Sequence, residues 1–439
     1  MNDSPHVPPT QEQILATYGE AHPPLTPDQA VVEADRCYFC HDAPCVEACP
    51  TDIDIPGFIR GIATGNLKGA ATTILEQNVF GGTCARVCPT EILCERACVR
   101  TAQEHRPVDI GALQRHATDW LMQHKIQPFV RAPETGKRIA VVGAGPAGLS
   151  CAHALARNGH YVRIFEARPK PGGLNEYGIA AYKMADEFAQ REVAFIMSLG
   201  GMTIRYGAAL GRDIFVAGLR AEFDAVFIGI GLGDTNTLGI PGETLPGVRD
   251  AVDFIAELRQ SPDRITVGRR VVVIGGGNTA IDAATQSTRL GADQVTMVYR
   301  RGPEAMSATQ VEQDWARTNG VTIRHWCAPV RIVEVNGHAA GLEIVRTGGP
   351  QKGEHSVLQA DVILKAIGQR FRSLEGTGLE MTGGRIAVDP DTGATALPGV
   401  YAGGDCIPGP DLTVHCVQDG KRAAAAIHRM LQTGGAANG

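Results

Sequence analysis

Eight of the twelve cysteines fall between Cys37 and Cys98, and no other feature restricts the fold so strongly. Cys37, Cys40, Cys45 and Cys49 are spaced C-x2-C-x4-C-x3-C and are followed at once by Pro50. Cys84, Cys88, Cys94 and Cys98 are spaced C-x3-C-x5-C-x3-C. Residues 45–51 and 84–90 both read C-x3-C-P-T, so the halves form an imperfect internal repeat. A disulfide framework needs an oxidising compartment and usually a small secreted domain. Here the N-terminus is rich in Pro, Asp and Gln and carries no apolar signal stretch.

Metal is the better reading. Four-cysteine zinc sites usually pair two C-x2-4-C knuckles, and only Cys37–Cys40 has the common C-x2-C form. Short spacings closed by Cys-Pro are instead the pattern of ferredoxin-type clusters, in which the last cysteine of one run ligates the other cluster. The pattern favours two [4Fe–4S] clusters, with zinc as the rival.

At 439 residues the chain is long enough for about three domains. A net charge of −6 argues against nucleic acid or an anionic membrane as main partner. No apolar run approaches the ~18–20 residues needed to cross a bilayer, and the expected location is cytoplasmic. Residues 1–30 read as an irregular or partly helical lead-in. From Pro56 apolar residues recur at helical spacing, with Gly61, Gly65 and Gly69 as interruptions, and residues 110–123 read as another helix. A Pro/Gly/Lys linker then leads to Lys137.

Beyond it the composition changes. RIAVV from Arg138 is a buried strand that runs into Gly143-Ala144-Gly145-Pro146-Ala147-Gly148 and a helix. The first glycine permits the turn, the second lets the backbone approach a pyrophosphate, and the third lets helix and strand pack closely. The helix N-terminus supplies N–H groups and partial positive charge. The next strand ends at Glu166, where a carboxylate should meet ribose hydroxyls. The pattern recurs: RVVVI from Arg270 leads into Gly275-Gly276-Gly277-Asn278-Thr279-Ala280, and a second strand ends in Arg300-Arg301 rather than an acid. Those arginines read either as a solvated strand end or as contacts to the adenosine side of NAD(P). Two such units point to a flavin and a nicotinamide. Strand-to-glycine crossings at residues 224–231 and 361–368 flank the second unit, and YAGGD from Tyr401 delivers Gly404 and Asp405 before a final helix over residues 420–431. The second unit therefore reads as inserted into the first.

GAGPAG with Glu166, the Gly172-Gly173 turn, GGGNTA and GGDC before a helix resemble the flavoproteins with two dinucleotide-binding domains. The cysteine layout narrows the resemblance to the group holding the glutamate synthase small subunit and the N-terminal half of dihydropyrimidine dehydrogenase. The stretches CHDAPC, KGAATTI, CARVCPTE-x-LC and DIGALQR are similar to the flavin subunits of bacterial NAD-dependent dihydropyrimidine dehydrogenases. The resemblance implies an α/β chain: a helical iron–sulfur domain (residues 1–132), then an FAD domain (133–244 and 366–439) interrupted by an NAD(P) domain (245–365). It implies one cluster on Cys37, Cys40, Cys45 and Cys98, and another on Cys49, Cys88, Cys94 and the Gln114 oxygen, with Cys84 unligated. It also implies FAD contacts from Gly143 to Ala147 and from Glu166, Gly173, Leu174, Lys183, Gly404, Asp405 and Thr413, Lys183 standing where relatives often carry Arg. Gly276, Gly277, Asn278, Thr279, Arg300 and Arg301 would contact NAD(P). Arg300 and Arg301 point to NADPH, whereas Glu304 and the lack of a further arginine in residues 302–307 point to NADH.

No nucleophile or hydrolase constellation is recognisable, which suits hydride transfer by stacking and orientation. The expected role is to oxidise NAD(P)H at FAD and pass electrons through the clusters to a partner. In the resembled enzyme that partner is a PreA-like FMN/iron–sulfur subunit that reduces uracil or thymine, within a heterotetramer. The alternatives are a glutamate synthase small subunit and a stand-alone NAD(P)H:acceptor reductase. Cys151, Cys327, Cys406 and Cys416 are expected to be buried small hydrophobes.

Overall fold

The computed structural model describes residues 19–262, 265, 267–372, 374 and 376–434. Most of the expected lead-in, residues 1–18, lies outside them. The chain forms two compact units. The larger contains His22–Glu176, Asp186–Gly233 and the described residues from Phe371 onward, and the smaller contains residues 19–21, Tyr177–Ala185 and Asp234–Arg370.

The larger unit begins with short helices, four of which are started by a side-chain cap. Thr26 and Gln29 form a capping box ahead of Pro27–Ala34. Asp54, Asn66 and Asp109 accept from the backbone N–H groups of Gly57, Gly69 and Ala112, opening Ile55–Ala63, Leu67–Gln77 and Ile110–Gln123. Of the glycines read as interruptions, only Gly65 acts as one. Its φ of +77° turns the chain just past the Ile55–Ala63 helix. Gly61 stays helical and touches the next helix, since a Cβ there would lie 3.1 Å from the Cβ of Ala70. Gly69 lies in the first turn of its helix. The apolar faces bury Phe58, Ile59, Ile62, Ile74, Leu75, Leu113 and Leu121 in one core.

The rest of this unit is a five-stranded parallel sheet in the spatial order Val400–Ala402, Ala225–Ile228, Arg138–Val142, Tyr161–Glu166, Met202–Tyr206. Val141 pairs with Ile164 on one side and Phe227 on the other. Central strands covered on both faces read as unbroken apolar runs, and residues 139–142 and 225–228 are buried without exception. The Pro146–Arg157 helix packs against the last helix, Thr413–Gly434, through Gly420, where a Cβ would come within 2.3 Å of the Ala147 carbonyl oxygen.

The smaller unit repeats the parallel plan, in the order Val248–Asp250, Val362–Lys365, Arg270–Ile274, Gln294–Val298, Thr322–Arg324. It adds an antiparallel ladder of Cys327–Val335, His338–Arg346 and His355–Gln359. Tyr177–Ala185 also belongs to it. Tyr182 is fully buried and donates to Asp282 at 2.9 Å, while the Ala181 N–H donates to Gln286 at 3.1 Å. Among the described residues no helix is long and apolar enough to cross a membrane.

Candidate electron-transfer site

The cysteines gather into two sets. Cys37, Cys40, Cys45 and Cys98 line one cavity, walled by Ile55, Ile59, Val108 and Ile110. Burial and the fields of Cys40 and Cys98 raise the Cys37 thiol, and burial with Cys37 and Cys98 pushes Cys45 up to about 12. Cys49, Cys88 and Cys94 make the second set. A hydrogen bond with the Cys84 thiol, then burial and the fields of Cys94 and Cys49, raise Cys88 well above its ordinary value. Burial, Glu95 and Cys49 do the same to Cys94. Thiols crowded in this way resist ionising together unless a cationic core neutralises them. Among the described residues no three His, Cys, Asp or Glu side chains close round a single ion.

The helix Gly81–Val87 carries Cys84 and ends at Cys88. Its carbonyl at Gly81 accepts from the Gln114 side-chain amide at 2.7 Å. Gln114 is buried, and because its nitrogen is engaged, its oxygen is the atom left to ligate. Arg86 anchors the same helix, bonding Asp119 at 2.7 and 2.9 Å and lying 3.5 Å from the centroid of the Phe188 ring.

In the first glycine loop, Gly143 has φ +100° and a Cβ there would sit 2.3 Å from the Gly229 carbonyl oxygen. Gly145 begins the Pro146–Arg157 helix with no side-chain cap, which leaves the first-turn N–H groups to a ligand. It faces Gly173, whose added Cβ would lie 2.8 Å from the Gly145 Cα. Glu166 accepts from the N–H groups of Ala144 and Arg168, each at 2.8 Å. Thr413 donates to the Asn175 oxygen at 3.0 Å, and the buried Asn175 nitrogen has no partner among the described residues. The Gly404 N–H donates to Asp419 at 2.9 Å, and burial raises Asp405, which accepts from the Cys416 thiol at 3.2 Å. The uncapped helix start at Gly145 and an orphaned donor beside Leu174 fit a bound dinucleotide. Sequence reasoning passed over Asn175, because a lone asparagine carries no motif.

The second loop has the same build. A Cβ on Gly275 would meet the Ala366 carbonyl oxygen at 2.2 Å, and one on Gly276 the Tyr299 ring at 2.6 Å. Gly277 opens Asn278–Arg289 without a side-chain cap, and the buried Asn278 oxygen lacks a partner among the described residues. Thr279 is half-buried in the first turn. Arg300 and Arg301 are exposed at the strand end, Arg301 lying 5.5 Å from the centroid of the Tyr299 ring. Lys183 belongs to the smaller unit, whereas Gly143 belongs to the larger. Its ammonium pairs with Asp282 at 2.9 Å and Glu312 at 2.6 Å. Burial opposes that charge, but the two carboxylates outweigh it and hold the ammonium at about 12. Cys151, Cys327, Cys406 and Cys416 are all buried.

Residues 15–126 match the family described as dihydropyrimidine dehydrogenase domain II, 4Fe-4S cluster, and residues 137–420 match pyridine nucleotide-disulphide oxidoreductase. The NAD-dependent dihydropyrimidine dehydrogenase subunit PreT of Salmonella typhimurium is 37% identical over 413 residues, covering 94% of this chain and 97% of that protein. The glutamate synthase [NADPH] small chain of Escherichia coli is 33% identical over 444 residues, covering 94% of each. Among solved structures, FprA of Mycobacterium tuberculosis superposes with a TM-score of 0.59 at 20% identity, over 70% of this chain and 86% of that one. Thioredoxin reductase of T. acidophilum gives 0.56 at 21%, over 67% and 99%. At these identities the structural likeness speaks for the fold.

Proposed function

This chain belongs to the pyridine nucleotide-disulphide oxidoreductase family, in the iron–sulfur flavoprotein branch of PreT and the glutamate synthase small chain, and we propose that it is the electron-input subunit of a dihydropyrimidine dehydrogenase. In this reading it oxidises NADH at FAD and passes electrons through two [4Fe–4S] clusters to a PreA-like catalytic subunit that reduces uracil or thymine. The observation that carries it is the division of seven thiols into two sets, with Gln114 buried against the helix that ends at Cys88, in a chain that also has two glycine loops opening uncapped helices. Bound FAD would accept a hydride and release its two electrons singly, and the clusters would carry them one at a time.

The protein's own part is positioning. Gly143, Gly145 and Gly173 let the backbone approach a pyrophosphate, Glu166 is placed for a ribose, and Asn175, Thr413, Gly404 and Asp405 line the same site. Gly276, Gly277, Asn278 and Thr279 present the second loop to the nicotinamide dinucleotide, with Arg300 and Arg301 at its adenosine end. Cys37, Cys40, Cys45 and Cys98 would hold one cluster, and Cys49, Cys88, Cys94 and Gln114 the other.

The test is to isolate the chain anaerobically with its native partner and assay NADH-dependent consumption of uracil. Loss of uracil supports the assignment. Glutamate formation from 2-oxoglutarate and glutamine, with uracil untouched, would move the chain to the glutamate synthase role. Full turnover with a diffusible acceptor and no partner would make it a stand-alone reductase.

A further inference from the structure

Lys421 lies on the last helix, one residue past Gly420, which packs against the helix of the first glycine loop. Its side chain is half-buried. The ammonium donates to the Thr51 carbonyl at 3.3 Å and to the Gln77 side-chain oxygen at 2.9 Å. No carboxylate forms an ion pair with it among the described residues. Burial lowers its proton affinity, and the acidic groups opposing this are Asp52 and the Cys49 thiol. Asp52 is exposed and Cys49 is buried. A half-buried lysine bonded to two neutral acceptors is a costly arrangement, because cations drawn out of water are ordinarily matched by an anion.

From this, and resting on the cluster reading above, we infer that Lys421 is the counter-charge of the cluster held by Cys49, Cys88, Cys94 and Gln114. With Cys49 as a thiolate the missing anion is present. Three thiolates and a neutral amide leave that centre net negative. One-electron reduction adds one further negative charge, with no bond made or broken and no proton taken up. A fixed cation beside Cys49 stabilises the reduced form more than the oxidised form, so it raises that cluster's reduction potential. Lys421 is tied to the Cys49 stretch through Thr51, whose hydroxyl lies 3.4 Å from the Cys49 sulfur, while the Cys37 cavity is lined by a cation of its own, Arg100. Removing the Lys421 charge should therefore move one cluster's potential and leave the other where it is.

The experiment is an anaerobic redox titration of the purified chain, monitored by EPR, on wild type, Lys421→Gln, Lys421→Met and Lys421→Arg. Lys421→Gln keeps a donor for Thr51 and Gln77 while removing the charge, which guards against a merely structural failure of Lys421→Met. The expected result is a shift of one cluster's midpoint to lower potential in both neutral variants, the other midpoint unmoved, and a near-wild-type value in Lys421→Arg, with FAD content unchanged throughout. Unmoved midpoints at full iron content, or two midpoints that shift alike, overturn the inference and leave the cluster reading standing. Wild-type protein without iron would sink the cluster reading itself.

Discussion

The Glu192 carboxylate accepts from both the backbone N–H of Thr83, at 2.9 Å, and the Thr83 hydroxyl. It thereby supplies the N-terminal cap that the Gly81–Val87 helix lacks in its own sequence. Both side chains are fully buried, and burial pushes the Glu192 carboxyl up to about 7 against the Thr83 hydrogen bonds. The folded state therefore holds this proton more tightly than the unfolded chain does. Its stabilising effect is complete below the unfolded value near ~4.5 and is lost as pH rises through about 7, a change on the order of 3 kcal/mol. Melting curves of wild type and Glu192→Gln between pH 5 and pH 8.5 should diverge accordingly, wild type losing stability towards alkaline pH relative to the variant. Parallel curves would show that the carboxyl does not titrate there.

Removing the Lys183 ammonium strands two carboxylates. Asp282 is buried and Glu312 mostly so, and breaking a buried pair from one side costs about 3–5 kcal/mol. Lys183→Met should lower the unfolding free energy from urea titration by that amount, and Lys183→Met/Glu312→Gln should recover part of it. FAD content should hold in both. A single variant as stable as wild type would mean that water reaches the acids.

Asn175 offers its nitrogen to nothing among the described residues while Thr413 fixes its oxygen. Asn175→Ala should therefore release FAD on dialysis and raise its dissociation constant about tenfold, the worth of one hydrogen bond of ~1.4 kcal/mol. Isothermal titration of the apoprotein with FAD measures it. Unchanged affinity would make Asn175 a purely structural partner of Thr413.

Gln114 and Cys84 compete for one role, since both lie on or against the Gly81–Val87 helix and Cys84 hydrogen-bonds with Cys88. Gln114→Ala should alter the EPR signal of one cluster and spare the other, and Cys84→Ala should alter neither. The reverse outcome would make Cys84 the fourth ligand. Iron analysis of wild type should find about eight irons per FAD.

The parts of this molecule legible in the sequence are those with a backbone reason. The GAGPAG and GGGNTA loops announce themselves because a Cβ at Gly143 or Gly275 would strike a carbonyl oxygen, so few residues can stand there. The cysteines were legible through spacing, which reflects local chain reach. Contacts between distant segments left no such trace. Glu192 reaches Thr83 from a helix far along the chain, Lys421 reaches Thr51 from the last helix, and Tyr182 is buried by a segment that belongs to the smaller unit. Each is one ordinary side chain with no repeating pattern. The antiparallel ladder of residues 327–359 was missed for another reason: its exposed alternation lacks the glycine-closed strand endings that marked the parallel strands.

The larger unit's sheet has its outer strand, Val400–Ala402, encoded after the whole Asp234–Arg370 insertion. While the polypeptide is still emerging from the ribosome, the Ala225–Ile228 strand is an open edge, the kind of surface that recruits strands from other chains. Gly404, Asp405 and Thr413 arrive later still. On the proposed assignment of these three residues to the flavin site, capture of the yellow prosthetic group waits for the finished polypeptide. A product terminated shortly after residue 370 keeps every GAGPAG atom yet should emerge colourless and prone to aggregate.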